Sequence, residues 1–167
     1  VGHSRGAGLV LAALARGLSV ERVVAISPPR RIPALLAAPE EVVAEHGARL
    51  AELMGREPFG VELTRALVRS WAVDRVLELA THPPLLFVDG ALEEAVEKGY
   101  LESVYARLSE PKRYLRIAGA NHYFGVDWWR NGVLTLPYHD VRVITDLADG
   151  IDRFLRGVPP RDEESSG

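Results

Sequence analysis

Gly2-His3-Ser4-Arg5-Gly6, running directly into GAGLVLAALARG at positions 6–17, is the stretch on which the fold turns. Positions 6–17 are rich in Ala and Leu and stop at Gly17, so they read as a helix. The pentapeptide has the form G-x-S-x-G. Such a sequence suits a sharp strand-to-helix turn that holds its Ser in a strained backbone conformation. Gly2 and Gly6 would leave room where a Cβ would clash. The Ser4 side chain would stand clear at the strand's carboxyl end, facing the positive end of the following helix. A phosphate-cradling loop is a poor rival, because no Lys-Ser or Lys-Thr follows the glycines. A strand ending at Val1 should carry the turn. The chain opens on Val rather than Met, in the middle of that turn, so we expect it to be part of a longer natural chain with any leader upstream.

Working outward, RVVAISP at 22–28 reads as a short buried strand closed by Pro28-Pro29. PLLFVDG at 84–90 reads as a second strand and RYLRIAG at 113–119 as a third. Helices are expected over 94–108, with Val96, Tyr100, Val104 and Leu108 on one side, and over 140–156. The latter has a stripe of Val143, Ile144, Leu147, Ile151, Phe154 and Leu155. Between the first two strands, positions 30–70 break the rhythm. Pro33 and Pro39 bound a loop. PEEVVAEHGARLAELMG then starts a helix with acids in its first turn and ends it at Gly55. Another helix is expected from Val61 to Leu79, presenting Leu63, Leu67, Trp71 and Val76. Strands alternating with helices imply an α/β class with a mostly parallel sheet covered on both faces, plus a small helical insertion at 30–70. Positions 1–157 form one domain, and the polar tail at 158–167 is expected to be disordered.

The 167 residues suit one domain or slightly more. Apolar residues make up 47% and charged residues 26%, which is enough for a core and excludes disorder throughout. Twenty Lys and Arg against 23 Asp and Glu give a net charge of −3, so no basic stripe marks a nucleic-acid partner. With no cysteine there is no disulfide, thiolate metal site or thiol nucleophile. No apolar run approaches the about 18 residues that span a bilayer. Composition fixes neither oligomeric state nor compartment; the cytoplasm is the default expectation.

From Ser4 to about residue 156 the chain resembles the α/β-hydrolase family, here as a partial fold that starts at the Ser turn. In that family a Ser turn is followed by two strands, an acid in the loop after the second, and a His after the last. RVVAISP and PLLFVDG stand where those strands belong. Glu93 is three residues past Gly90, and His122 ends the run Gly119-Ala120-Asn121-His122. The resemblance therefore implies a triad of Ser4, Glu93 and His122, with the N–H of Arg5 as one oxyanion donor. Ser4 would attack an acyl carbon, His122 would take its proton and return it to the leaving group, and Glu93 would hold the imidazole. The reaction implied is cleavage of an ester-like bond, a carboxylic ester before a thioester or amide, on a small-molecule acyl substrate. No cofactor is implied, and no His, Asp and Glu cluster has metal-ligand spacing.

Several readings stay open. Glu94 and Asp89 compete with Glu93 as the acid, and a solvated helix-start carboxylate is the bland alternative. His3 reads as packing rather than a base. His46, His82 and His139 lack a partner pattern. Tyr123, Phe124 and Trp128, with Trp129, are either an apolar wall beside His122 or core packing. The 30–70 insertion is either a cap over an acyl pocket or extra sheet cover, and Arg30-Arg31 is either an anion lure or a solvated loop. The family's second oxyanion donor comes from an earlier strand, which would lie upstream of Val1. Losing one donor costs about 100- to 1,000-fold in rate, so little Ser4-dependent turnover of a short-chain nitrophenyl ester is expected from this chain alone. A non-catalytic binding module on the same fold is the alternative.

Overall fold

The computed structural model describes residues 1–29, 32–92, 100–124, 127–130, 133–135 and 141–159. Four parallel strands form the main sheet in the order β1 (Gly2–His3), β2 (Val23–Ile26), β3 (Leu85–Gly90) and β4 (Lys112–Ile117). The register runs His3 to Ile26, Ile26 to Val88 and Val88 to Leu115, so the carboxyl ends of all four strands meet at one edge. Parallel strands must be buried on both faces. The alternation within each strand divides the core accordingly. Val23, Ala25, Leu85 and Phe87 pack on one face with Ala7, Leu11 and Leu14 of α1 (Arg5–Ala15), with Val73 and Val76, and with Leu101 and Val104 of α5 (Tyr100–Arg107). Val24, Ile26, Leu86, Val88, Leu115 and Ile117 pack on the other face with Ala120, Phe124, Val143 and Phe154.

The Gly17 stop is real: its N–H and that of Leu18 close α1 onto the carbonyls of Leu14 and Ala13, at 2.9 and 3.0 Å. The insertion is helical, and its elements differ in detail from expectation. Positions 32–37, read as loop because of Pro33, form a short helix α2 (Ile32–Ala37), since a proline in the first turn loses no intrahelical bond. α3 (Glu40–Leu53) follows as expected. The helix expected over 61–79 divides into α4 (Val61–Ser70) and a 3-10 turn (Val73–Glu78), because Ala72 is extended at ψ 129°. Its buried face is Thr64 and Val68, and Leu63 points outward at 51% exposure. The shift has a local cause. Gly47 of α3 lets α4 approach so closely that a Cβ there would stand 2.9 Å from the carbonyl oxygen of Phe59 and collide with the Thr64 hydroxyl. That hydroxyl donates to the Gly60 carbonyl at 2.9 Å, so its burial carries no unsatisfied donor.

α6 (Val141–Leu155) covers the sheet through Val143, Leu147, Ile151 and Phe154, whereas Ile144 and Leu155 face outward at 48% and 44% exposure. The expected stripe is thus one column narrower. A two-stranded antiparallel pair, β5 (Asp127–Arg130) and β6 (Val133–Thr135), was not expected. Trp128 and Trp129 favour strands, and Asn131-Gly132 between the two segments is a strong hairpin pair. Arg30, Arg31, Glu93, Glu94, His139 and the tail from 160 lie outside the described residues, as do the side chains of Trp128 and Trp129.

Candidate active site

Ser4 sits at the carboxyl end of β1 and begins α1. Its backbone holds φ 52° and ψ −123°, a sparsely populated conformation for a residue with a side chain. The surroundings hold it there: Ser4 N–H donates to the Ile26 carbonyl at 2.8 Å, and the Ser4 carbonyl accepts from Ala7 at 3.0 Å and Gly8 at 3.3 Å. Gly2 is required by close approach. A Cβ at that position would lie 2.4 Å from the Gly6 carbonyl oxygen and 2.7 Å from the Ala7 nitrogen. Gly6 differs from expectation: a Cβ there would meet nothing within 4 Å among the described residues. The N–H of Arg5, first residue of α1, belongs to the first-turn donors that have no intrahelical acceptor.

The loop after β4 brings His122 to the same edge. Its Nε2 lies 3.0 Å from Ser4 Oγ, across 118 positions of sequence. If Nδ1 carries the proton, Nε2 can accept the Ser4 hydroxyl hydrogen, as a general base must. The loop is fastened from two sides. Phe124 is buried at 5% exposure among Ala120, Val143 and Phe154, and its N–H donates to the Asn121 carbonyl at 3.0 Å. At the end of β3, Ala91 donates to Ile117 at 3.0 Å and Leu92 to Ala120 at 2.8 Å. Gly90 permits this crossing, since a Cβ there would stand 2.5 Å from the Ala120 carbonyl oxygen and 2.7 Å from that of Asn121.

Those bonds draw the chain at Leu92 against the His122 loop, one residue before Glu93, which itself lies outside the described residues. Asp89, the competing carboxylate, is fully buried and turned to the α1 and α5 face. It accepts from the Tyr114 hydroxyl at 3.0 Å and stands 3.7 Å from the Arg116 guanidinium. Tyr123 is 43% exposed with its ring edge-on to His122, centroids 4.9 Å apart, whereas Phe124 belongs to the core. His3 is not placed as a base; its Nε2 bonds the His122 carbonyl oxygen at 2.8 Å. No spacing rule links positions 3 and 122, so that contact was not legible beforehand. His82 bonds the carbonyls of Pro83 and Ser109.

The chain just after α4 packs on α1. Gly8 of α1 accepts the backbone of Trp71 so closely that a Cβ would lie 2.9 Å from its carbonyl oxygen. Burial pushes the His46 imidazole on α3 below its ordinary range, and the positive charges of Arg5 and Arg49 add to that. Among the described residues no group of three His, Cys, Asp or Glu could hold a metal ion, and no helix is long and apolar enough to cross a membrane.

No family model matches the sequence, and no curated protein is significantly similar to it. Solved structures are similar in fold. Est1E from Butyrivibrio proteoclasticus superposes with a TM-score of 0.56 at 18% identity, covering 93% of this chain and 58% of that one. The same protein with ferulic acid bound gives 0.52 at 21% identity, covering 94% and 57%. The alpha/beta hydrolase GrgF from Penicillium sp. sh18 gives 0.54 at 19%, covering 93% and 60%. E-2-(acetamidomethylene)succinate hydrolase gives 0.52 at 19%, covering 93% and 65%. The chain thus spans less than two thirds of each of these proteins.

Proposed function

This chain has the α/β-hydrolase fold, and we propose that it carries the acyl-transfer machinery of a serine hydrolase acting on a carboxylic ester of a small molecule. The observation that carries the reading is the 3.0 Å approach of His122 Nε2 to the hydroxyl of a strained Ser4. A packing histidine has no reason to meet a serine held in that conformation at a helix start, and such strain concentrates at functional sites. The ferulic acid seen on Est1E is in keeping with an acyl substrate, since it is the free form of an acyl group.

In the proposed reaction Ser4 Oγ bonds to the ester carbonyl carbon while His122 Nε2 takes the hydroxyl proton. The carbonyl oxygen becomes an oxyanion that accepts the Arg5 N–H, aided by the positive end of α1. The carbon–oxygen bond to the alcohol then breaks, and His122 passes its proton to the departing alcohol. Water, deprotonated by His122, attacks acyl-Ser4 and releases the carboxylic acid, and the proton returns to Ser4. Glu93 is the proposed partner of His122 Nδ1–H, since the chain at Leu92 is tied to Ala120. The α2–α4 segment is the proposed cap, and Tyr123, with Trp128, the proposed acyl contact.

A fluorophosphonate probe tests the reading, because it requires one reaction per molecule. Ser4 Oγ should displace fluoride and form a phosphonyl ester on the peptide that contains Ser4. A folded chain that stays unlabelled would favour a binding module instead.

A further inference from the structure

We propose that His3 is a positioning residue that sets the place of His122 through the main chain. The inference rests on the catalytic reading of Ser4 and His122. The His122 carbonyl oxygen can only accept, so the His3 Nε2 at 2.8 Å from it must carry a proton. The neighbouring ring has the opposite duty: His122 Nε2 must be bare to accept from Ser4 Oγ at 3.0 Å. Two imidazoles with centroids 5.3 Å apart are thus held in different protonation patterns by different acceptors.

The geometry explains why the link matters. Residue 122 is attached at two points to consecutive residues of one rigid turn, its carbonyl to His3 and its ring to Ser4. His3 belongs to β1 and is in register with Ile26, so it moves with the sheet and not with the loop. Its ring also lies edge-on to Phe124, with centroids 6.2 Å apart, and to Tyr123 at 6.4 Å. The three residues of the base loop therefore wrap around this one side chain. A base displaced by an ångström loses about 100-fold in rate, and His3 fixes that position from the nucleophile's own strand.

Two variants separate donor from packing. His3→Phe keeps a ring and removes the donor; His3→Gln restores an N–H at a similar reach. In the whole chain, His3→Phe should lower the maximal rate of Ser4 phosphonylation about 10- to 100-fold with the probe concentration at half-maximal rate unchanged, and His3→Gln should recover most of it. A His3→Phe protein that labels at the wild-type maximal rate overturns the proposal. So does a loss carried by weaker probe binding alone. Should His3→Phe not fold, nitrogen NMR of the wild-type imidazoles decides. A protonated Nε2 on His3 is the result expected, and a bare Nε2 there overturns it. A wild-type chain that never labels at Ser4 refutes the catalytic reading instead, so the two failures are distinct.

Discussion

His122→Ala is expected to slow phosphonylation of Ser4 by about 100- to 10,000-fold, the usual contribution of a positioned base, while Ser4→Ala removes the labelled species altogether. Ser4 is a poor nucleophile until a neighbour takes its proton, and the His122 Nε2 at 3.0 Å is the group in reach. The ring is not part of the core: the loop is fastened by Phe124, by the Leu92–Ala120 bond and by His3, all of which survive removal of the imidazole. The thermal midpoint should therefore move little, and the rate loss should not be a folding defect. Labelling time courses beside thermal melts of the same preparations check this. A His122→Ala protein that labels at the wild-type rate would mean that the hydrogen bond has no chemical role.

The second large effect belongs to Gly2. A Cβ there would press against the Gly6 carbonyl oxygen at 2.4 Å, the Gly6 carbonyl carbon at 2.6 Å and the Ala7 nitrogen at 2.7 Å, all main-chain atoms of the first turn of α1. Backbone cannot swing aside as a side chain can, so the turn must open, taking the Arg5 N–H and the Ser4 hydroxyl with it. Gly2→Ala should cost about 1–3 kcal/mol of stability, as overpacking does, and about 100-fold or more in labelling rate. Gly6→Ala is the matched control. Its Cβ meets nothing within 4 Å among the described residues, and Ala favours a helix over Gly by up to about 1 kcal/mol. That variant should melt at or above the wild-type temperature and label at a similar rate. Equal damage from both substitutions would contradict the packing account.

The same pair of glycines marks how far the residues alone could be read. The pentapeptide announced a tight strand-to-helix turn, and the helix did start at Arg5, yet only Gly2 is sterically needed. Strands β2 and β3 were legible because each is a short apolar run buried throughout, whereas β4, KRYLRI, mixes charged residues with buried Leu115 and Ile117. Position 122 was legible through the family resemblance, which implies a His in the loop after the strand that is β4 here. What could not be read is contact between distant side chains. Thr64 rather than Leu63 faces inward because Gly47 of another helix makes space for it, a fact of pairing and not of periodicity. Asp89 sits beside Gly90 in sequence but is turned through the pleat to the opposite face from Ala120 and Phe124. The His3 bond to the base loop joins a strand end to a residue 119 positions away, which no local pattern encodes. The antiparallel pair β5 and β6 is the converse case, since Asn131-Gly132 between strand-forming residues is a local sequence signal for it.

Trapping the covalent intermediate puts the whole scheme at stake in one spectrum. The chain is mixed with nitrophenyl acetate, quenched with acid at intervals from seconds to an hour so that a slow single acylation is captured, digested and weighed by mass spectrometry. One acetyl group on the peptide bearing Ser4, absent from His122→Ala under the same quench, is the predicted result. Acetylation spread over lysines with none on Ser4, or on Ser4 to the same extent without His122, would contradict it.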